Sequence, residues 1–294
     1  MADDTRLKGF LITAAGVLAI SPDGLLVRLI AADDWTLLFW RGLLSGLAIF
    51  AALAVLHRGA LPAQVRAIGV AGLWLAVLFS AGTVLFIISI TSTTVANTLF
   101  IVSTAPLFAA LIAHFVLREA VSRSTWIAIG FALLGIGIIA AGSIERGGGS
   151  LLGDLAAVGA AISMAATFSL ARKARSRSMV PAMGLAGLIT AVVAVPLAAP
   201  FSIAPQNVVY VGLMGLLVVP LGFALLTLGP RYLPAPQVSL LLLGEAVLGP
   251  LLVWLVLGES PGSLGLIGGA VVLGTLALAN LYDLRLVRGA RATS

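Results

Sequence analysis

Between Ala67 and Leu117 the chain carries no Asp, Glu, Lys or Arg, and the same holds from Ser178 to Pro230. A helix needs roughly 20 apolar residues to cross about 30 Å of hydrocarbon, so each stretch holds two crossings joined by a turn. Soluble domains run near half apolar and a quarter charged, whereas this chain of 294 residues is 61% hydrophobic and 10% charged. It lacks the charged shell that a water-soluble globule requires. The runs are too long and too uniform to be barrel strands, which alternate and close on themselves. An all-α polytopic membrane protein is the expected fold class.

Apolar runs and their punctuation place ten transmembrane helices at roughly 9–30, 35–56, 66–89, 93–116, 124–141, 153–171, 180–199, 207–229, 235–257 and 263–283. The N-terminal run is read as an uncleaved first span, because Asp3 and Asp4 precede it and the apolar pattern resumes after Ser21-Pro22-Asp23. With the N-terminus in the cytoplasm, Arg6, Lys8, Arg58, Arg66, Arg118, Arg123, Arg172, Lys173, Arg175, Arg177, Arg231, Arg285, Arg288 and Arg291 fall inside. Arg28 and Arg146 fall outside, and Arg41 lies within the second span. That bias is the one cytoplasmic loops carry, and it puts both termini on the cytoplasmic side of the cell (inner) membrane. The net charge of +6 is therefore topological. Nucleic acid is not an expected partner, since that needs basic residues gathered on one solvated face.

The segment Phe115-Val116-Leu117-Arg118-Glu119 recurs as Leu255-Val256-Leu257-Gly258-Glu259. Each copy is followed by glycines spaced by five, Gly130 with Gly135 and Gly269 with Gly274, read as close-packing surfaces. Five helices separate the copies, and an odd number inverts the second relative to the first. The expected organisation is two inverted five-helix repeats, 1–146 and 147–294, in one membrane-embedded unit around a central cavity. Such repeats are a transporter architecture, with the site near the midplane.

At these residues the chain resembles the EamA-type branch of the drug/metabolite transporter superfamily. The paired Leu-x-Glu segments Leu117–Glu119 and Leu257–Glu259, Pro106, and Arg41 early in the second helix carry the resemblance. The second copy departs from the pattern where Glu245-Ala246 replaces a Glu-Pro. Within the family the overall pattern looks most like the YddG group of aromatic amino-acid exporters. The resemblance implies ten helices, cytoplasmic termini, a cavity between the halves and export of metabolites.

Intramembrane polar residues are the site candidates. Arg41 lies about 9 Å inside the outer end of its span at 1.5 Å per residue, where an unpaired guanidinium costs about 2.5–3.5 kcal/mol or more. Asp23 lies at similar depth, so the two are expected to pair. The pair reads either as a substrate clamp or gate, or as static glue between the first two helices. Pro22, beside Asp23, is the one proline read as a hinge. Glu245 is nearly central in the ninth span with no basic residue at matching depth. It reads as a proton carrier or a partner for a substrate ammonium, or as a carboxyl bonded to a neighbouring helix. Asn97 and Gln237, separated by the same interval as Glu119 and Glu259, suggest polar cavity lining, against helix capping. Trp74, Phe79 and Tyr210 offer stacking on an aromatic substrate, against a role as interfacial anchors. Glu119 and Glu259 read as helix-end hydrogen-bond acceptors, and His57 and His114 offer no ligand spacing.

No Gly-x-x-x-x-Gly-Lys phosphate loop is present, so no ATP-binding domain is encoded. There is no cysteine, and neither cofactor nor metal is expected. The expected function is a secondary transporter exporting amino acids, aromatic ones among them, or related small metabolites by alternating access. A multidrug exporter of lipophilic cations fits the same scaffold. A membrane-embedded lipid-modifying enzyme would need clustered acids, His or a nucleophile–base pair, and Asp33-Asp34 has no such companions. The partners expected are a small-molecule substrate and the lipid bilayer.

Overall fold

The structure, a computed structural model, describes residues 2–30, 32–56, 61–92, 98, 101–141, 150–258, 263–264, 266–275 and 278. Among them the ordered elements are helical: α1 (Ala2–Ile20), α2 (Asp23–Ile30), α3 (Asp34–Leu56), α4 (Leu61–Ser92), α5 (Ala105–Phe115), α6 (Arg123–Ala141) and α7 (Leu151–Lys173). There follow α8 (Val180–Ala194), α9 (Val208–Leu213), a π-helical turn (Met214–Val218), α10 (Val219–Leu228), α11 (Ala235–Leu242), α12 (Glu245–Leu257) and α13 (Leu266–Thr275). Six helical segments are long and apolar enough to cross a membrane. Four shorter apolar helices, α5, Arg123–Ile138 within α6, α8 and α13, occupy the remaining sequence runs.

Large apolar side chains crowd the outer face, as hydrocarbon permits and water does not. On α4, Val70, Leu73, Trp74 and Val77 form one exposed stripe. The inner faces are small. Ala156, Ala157, Ala160, Ala161 and Ala165 on α7, with Ala182 and Ala186 on α8, are buried, which lets backbones approach where no hydrophobic force drives helix association.

A close backbone-to-backbone approach joins α3 to α8. A Cβ at Gly42 would sit 2.6 Å from the Gly187 carbonyl oxygen, and one at Gly187 would sit 2.7 Å from that of Gly42. Gly46 in turn meets Leu188 and the Gly184 carbonyl. Numbers rise on α3 as they fall on α8, so the two helices run antiparallel. The same holds for α1 against α10, where Gly9 meets Tyr232, Gly16 meets Leu226 and Ile20 meets Gly222. It holds again for α4 against α7, where Gly82 meets Ser163 and Gly159 meets Leu85. The glycine sets noted in the sequence divide. Gly135 packs on the Gly268 carbonyl and Val272, and Gly269 on Val247, whereas Gly130 and Gly274 meet no described atom within 4 Å.

Among the described residues, three turns and one kink interrupt the helices. Pro22 has no N–H to continue the helix, and Ser21-Pro22 form a turn between α1 and α2. Leu243-Gly244 form a turn between α11 and α12, closed by short-range bonds such as Ala246 N–H to the Leu243 carbonyl at 3.1 Å. Ser103-Thr104, the counterpart of Leu243-Gly244 in the first repeat, turn in the same way before α5. On α4 a kink centres on Gly69 (φ 58°, ψ −161°), and Arg177 Nη1 donates to the Ala67 carbonyl there at 3.1 Å.

The Leu-x-Glu segments share a backbone signature. Gly258 ends α12 with φ 72°, and its counterpart in the first repeat, Arg118, is the described non-glycine residue with positive φ, 55°. Left-handed backbone costs an ordinary L-residue roughly 1–2 kcal/mol, and glycine is spared that. Arg118→Gly is therefore expected to raise unfolding stability by about 1 kcal/mol, and Gly258→Arg to lower it by a similar amount. Thermal unfolding of the purified protein in detergent reads both.

Candidate functional site

Two of the interruptions face each other. Asp23 is the first residue of α2 and Glu245 the first of α12, and these helices pack together. A Cβ at Gly249 would reach 4.0 Å from the Ser21 carbonyl, which places α12 against the α1–α2 break. Both carboxyl groups thus stand at the first turn of a helix that begins at a break. Discontinuous helices meeting within the bilayer are how transporters build solute sites.

Arg41 joins them from α3. Its Nη2 lies 2.8 Å from Asp23 Oδ2, with the side chains 17% and 10% exposed. Pairing satisfies the demand set by burying a guanidinium, and the expected partner is the one found. The other Asp23 oxygen, Oδ1, is buried without a hydrogen-bond partner. Glu245 is close enough to interact electrostatically with both Asp23 and Arg41, so its expected isolation from basic residues does not hold. It stays half-buried.

One end of the bundle is laced from α2 and α3 to the α8–α9 connection. Asn207 Nδ2 donates to the Ile30 carbonyl at 2.8 Å, Trp40 Nε1 to the Pro200 carbonyl at 2.9 Å, and Ala199 N–H to the Thr36 hydroxyl at 2.8 Å. Thr36 in turn supports Asp33, whose Oδ1 accepts the Thr36 N–H at 2.9 Å. The Thr36 hydroxyl, then the N–H groups of Thr36 and Trp35, hold the Asp33 carboxyl below its usual range.

The opposite end is tied by ions. Arg172 Nε meets the Glu119 carboxylate at 3.0 and 3.3 Å, its Nη1 donates to the Pro230 carbonyl at 3.3 Å, and Arg175 Nη1 lies 3.9 Å from Glu119. Glu119 thus serves a cation on α7 rather than the next helix's backbone. Sequence reasoning missed this pair, for which loop charge counting holds no distance information. Glu259 lies outside the described residues.

The other candidates disperse. Phe79 packs edge-on to Phe223 of α10, ring centroids 4.6 Å apart, between the halves. Trp74, 60% exposed, sits on the outward stripe of α4, so it faces lipid and not the charged cluster. The run around it is apolar all round, which left its direction unmarked in the sequence. Tyr210 lies near the start of α9 beside exposed Val208 and Val209. Gln237 is partly accessible on α11. Pro22 makes the α1–α2 break. Asn97 and His57 lie outside the described residues, and His114 is exposed against Phe115.

A family model, the EamA-like transporter family, matches the chain twice, over residues 7–141 and 151–281. The chain belongs to that family. It is a multi-pass membrane transporter of small solutes, and the EamA-like family's members are transporters, not enzymes. One solved crystal structure superposes with a TM-score of 0.80 at 20% identity, over 96% of this chain and 99% of that one, which shows a shared fold. No curated protein matches the chain.

Removing one partner of a buried pair leaves an uncompensated charge, at a cost of about 3–5 kcal/mol. Arg41→Gln is expected to destabilise the protein on that scale, and Arg41→Gln with Asp23→Asn by much less, read as melting temperatures in detergent. For Asp33, a lowered folded pKa means its stabilisation is complete above the unfolded value near 4 and fades as pH falls through the folded one. Asp33→Asn is expected to lower thermal stability at pH 7 and to flatten its further loss below about pH 4, so that the two proteins converge in acid.

Proposed function

We propose that this transporter exports amino acids, aromatic ones among them, or related small metabolites by alternating access. Its two five-helix repeats, 1–146 and 147–294, stand inverted in the inner membrane, forming ten spans with both termini in the cytoplasm. The observation that carries the reading is the Asp23–Arg41–Glu245 cluster at the meeting of two broken helices. Three further features support it. The family model matches twice. Corresponding helices α3 and α8 run antiparallel. Exchanging the halves turns the α4–α7 contact into α10–α1, and α5–α7 into α12–α2, all of which are present.

The substrate site lies among Asp23, Arg41 and Glu245, with Phe79 and Gln237 on its cytoplasmic approaches and Asn97 as the repeat equivalent of Gln237. Pro22 and the Asp23–Arg41 pair form the moving part. The outer hydrogen bonds and the Glu119–Arg172 pair are the two closures, which open in turn. Export of lipophilic cations is the second reading, favoured by two acids against one base in the cluster.

Proteoliposomes given a labelled amino-acid panel, with and without a pH gradient, test the function. Saturable, protein-dependent uptake of at least one amino acid is the expected result, and uptake of cationic dyes alone favours the second reading. The native chain has no cysteine, so single cysteines at positions 119 and 259 test the topology. Impermeant thiol reagents are expected to reach them from opposite sides of the membrane. Labelling of both from one side removes the inverted repeat.

A further inference from the structure

The charged cluster is asymmetric in a way that names a ligand chemistry. The repeat interval that relates Glu119 to Glu259 carries Asp23 to Ser163, Arg41 to Pro181 and Glu245 back to Ala105. The inverted half therefore holds no copy of any of the three charges, and the scaffold does not need them in order to fold. Within the cluster, hydrogen-bond acceptors exceed donors. Arg41 is engaged by Asp23 Oδ2, Asp23 Oδ1 is buried and unpartnered, and Glu245, a half-buried residue, supplies a second carboxyl group within electrostatic reach of both. Burying a carboxylate oxygen without a donor is costly, and one base stands beside two acids.

Resting on the transport reading, we infer that Asp23 Oδ1 and Glu245 receive the primary ammonium group of the transported solute at the junction of the two broken helices. An ammonium carries three donors and no acceptor. It supplies Asp23 Oδ1 with its missing partner and bonds Glu245. Arg41 is a positioning residue: by holding Oδ2 it turns Oδ1 toward the solute. A carboxylate on the solute adds no interaction with this pair of acids, so amino acids and simple amines share the recognised group.

Competition against labelled L-phenylalanine on the purified full-length protein in detergent tests this with three related probes. L-Phenylalanine carries both charges, phenethylamine only the ammonium, and 3-phenylpropanoate only the carboxylate. L-Phenylalanine or phenethylamine is expected to bind saturably, with 3-phenylpropanoate at least about tenfold weaker than either. Parity of the first two assigns simple amines to the site, and preference for the first assigns amino acids. Glu245→Gln is expected to weaken ammonium-bearing probes at least about tenfold while leaving 3-phenylpropanoate unchanged. Arg41→Lys retains the charge and is expected to keep part of the affinity that Arg41→Gln loses. Binding of 3-phenylpropanoate as strong as that of the amines overturns the inference in the native protein, whatever becomes of the variants. So does undiminished amine binding by folded Glu245→Gln. If no amine binds while proteoliposomes move another solute, the ammonium site falls and the transporter reading stands. If proteoliposomes move nothing, it is the transporter reading that falls.

Discussion

Hydrocarbon offers no hydrogen bonds, so every polar group placed in it must find its partner within the protein. Continuous helices meet that demand by themselves. This chain departs from continuity at Ser21-Pro22, Ser103-Thr104, Gly69 and Leu243-Gly244, and each departure needs local compensation. Ser21 Oγ returns to the Val17 carbonyl at 2.7 Å, short turns close around Gly244, and Arg177 takes the Ala67 carbonyl released at Gly69. The breaks near Asp23 and Glu245 are buried against each other, so the irregular backbone lines protein and not lipid.

The same constraint explains the glycines. With no hydrophobic force to draw helices together in lipid, contact comes from close packing. The carbonyls of Gly42 and Gly187 lie where any larger residue would place its Cβ. That contact joins the second helix of one repeat to its counterpart in the other and holds α3 where Arg41 can reach Asp23. Intimate packing at the centre and ionic or hydrogen-bonded ties at the two ends divide the labour: the first fixes the bundle, and the second can be exchanged.

What the sequence revealed followed from energies large enough to leave few alternatives. Uncharged runs give helices because nothing else survives in hydrocarbon, and Arg41 names Asp23 because a guanidinium at that depth must have a partner and few acids are near. Glu245 was harder to place. Counting residues along an unbroken helix put no base at its depth, whereas the break at Leu243-Gly244 starts a new helix at Glu245 and sets it beside α2. Trp74 shows the opposite limit. On a helix where every residue is apolar, no pattern distinguishes lipid from cavity, and its outward direction emerges only from packing. The Glu119–Arg172 pair was invisible for a third reason, since ends of helices far apart in sequence meet only once the bundle is assembled.

The asymmetry of the charges then bears on the alternating access proposed for the two halves. Two halves of similar energy can exchange conformations because neither is greatly preferred, and the solute needs only a modest differential affinity to bias the exchange. A full set of charges in both halves would bury twice the polar cost for one solute. Concentrating Asp23, Arg41 and Glu245 in one place leaves the partner half with Ser163, Pro181 and Ala105, which contribute packing without charge. The closures differ accordingly. Neutral hydrogen bonds from Asn207, Trp40 and Ala199 lie at one end, and the Glu119–Arg172 ion pair at the other. Salt screens ions more than neutral hydrogen bonds, so ionic strength acts unequally on the two ends of the bundle.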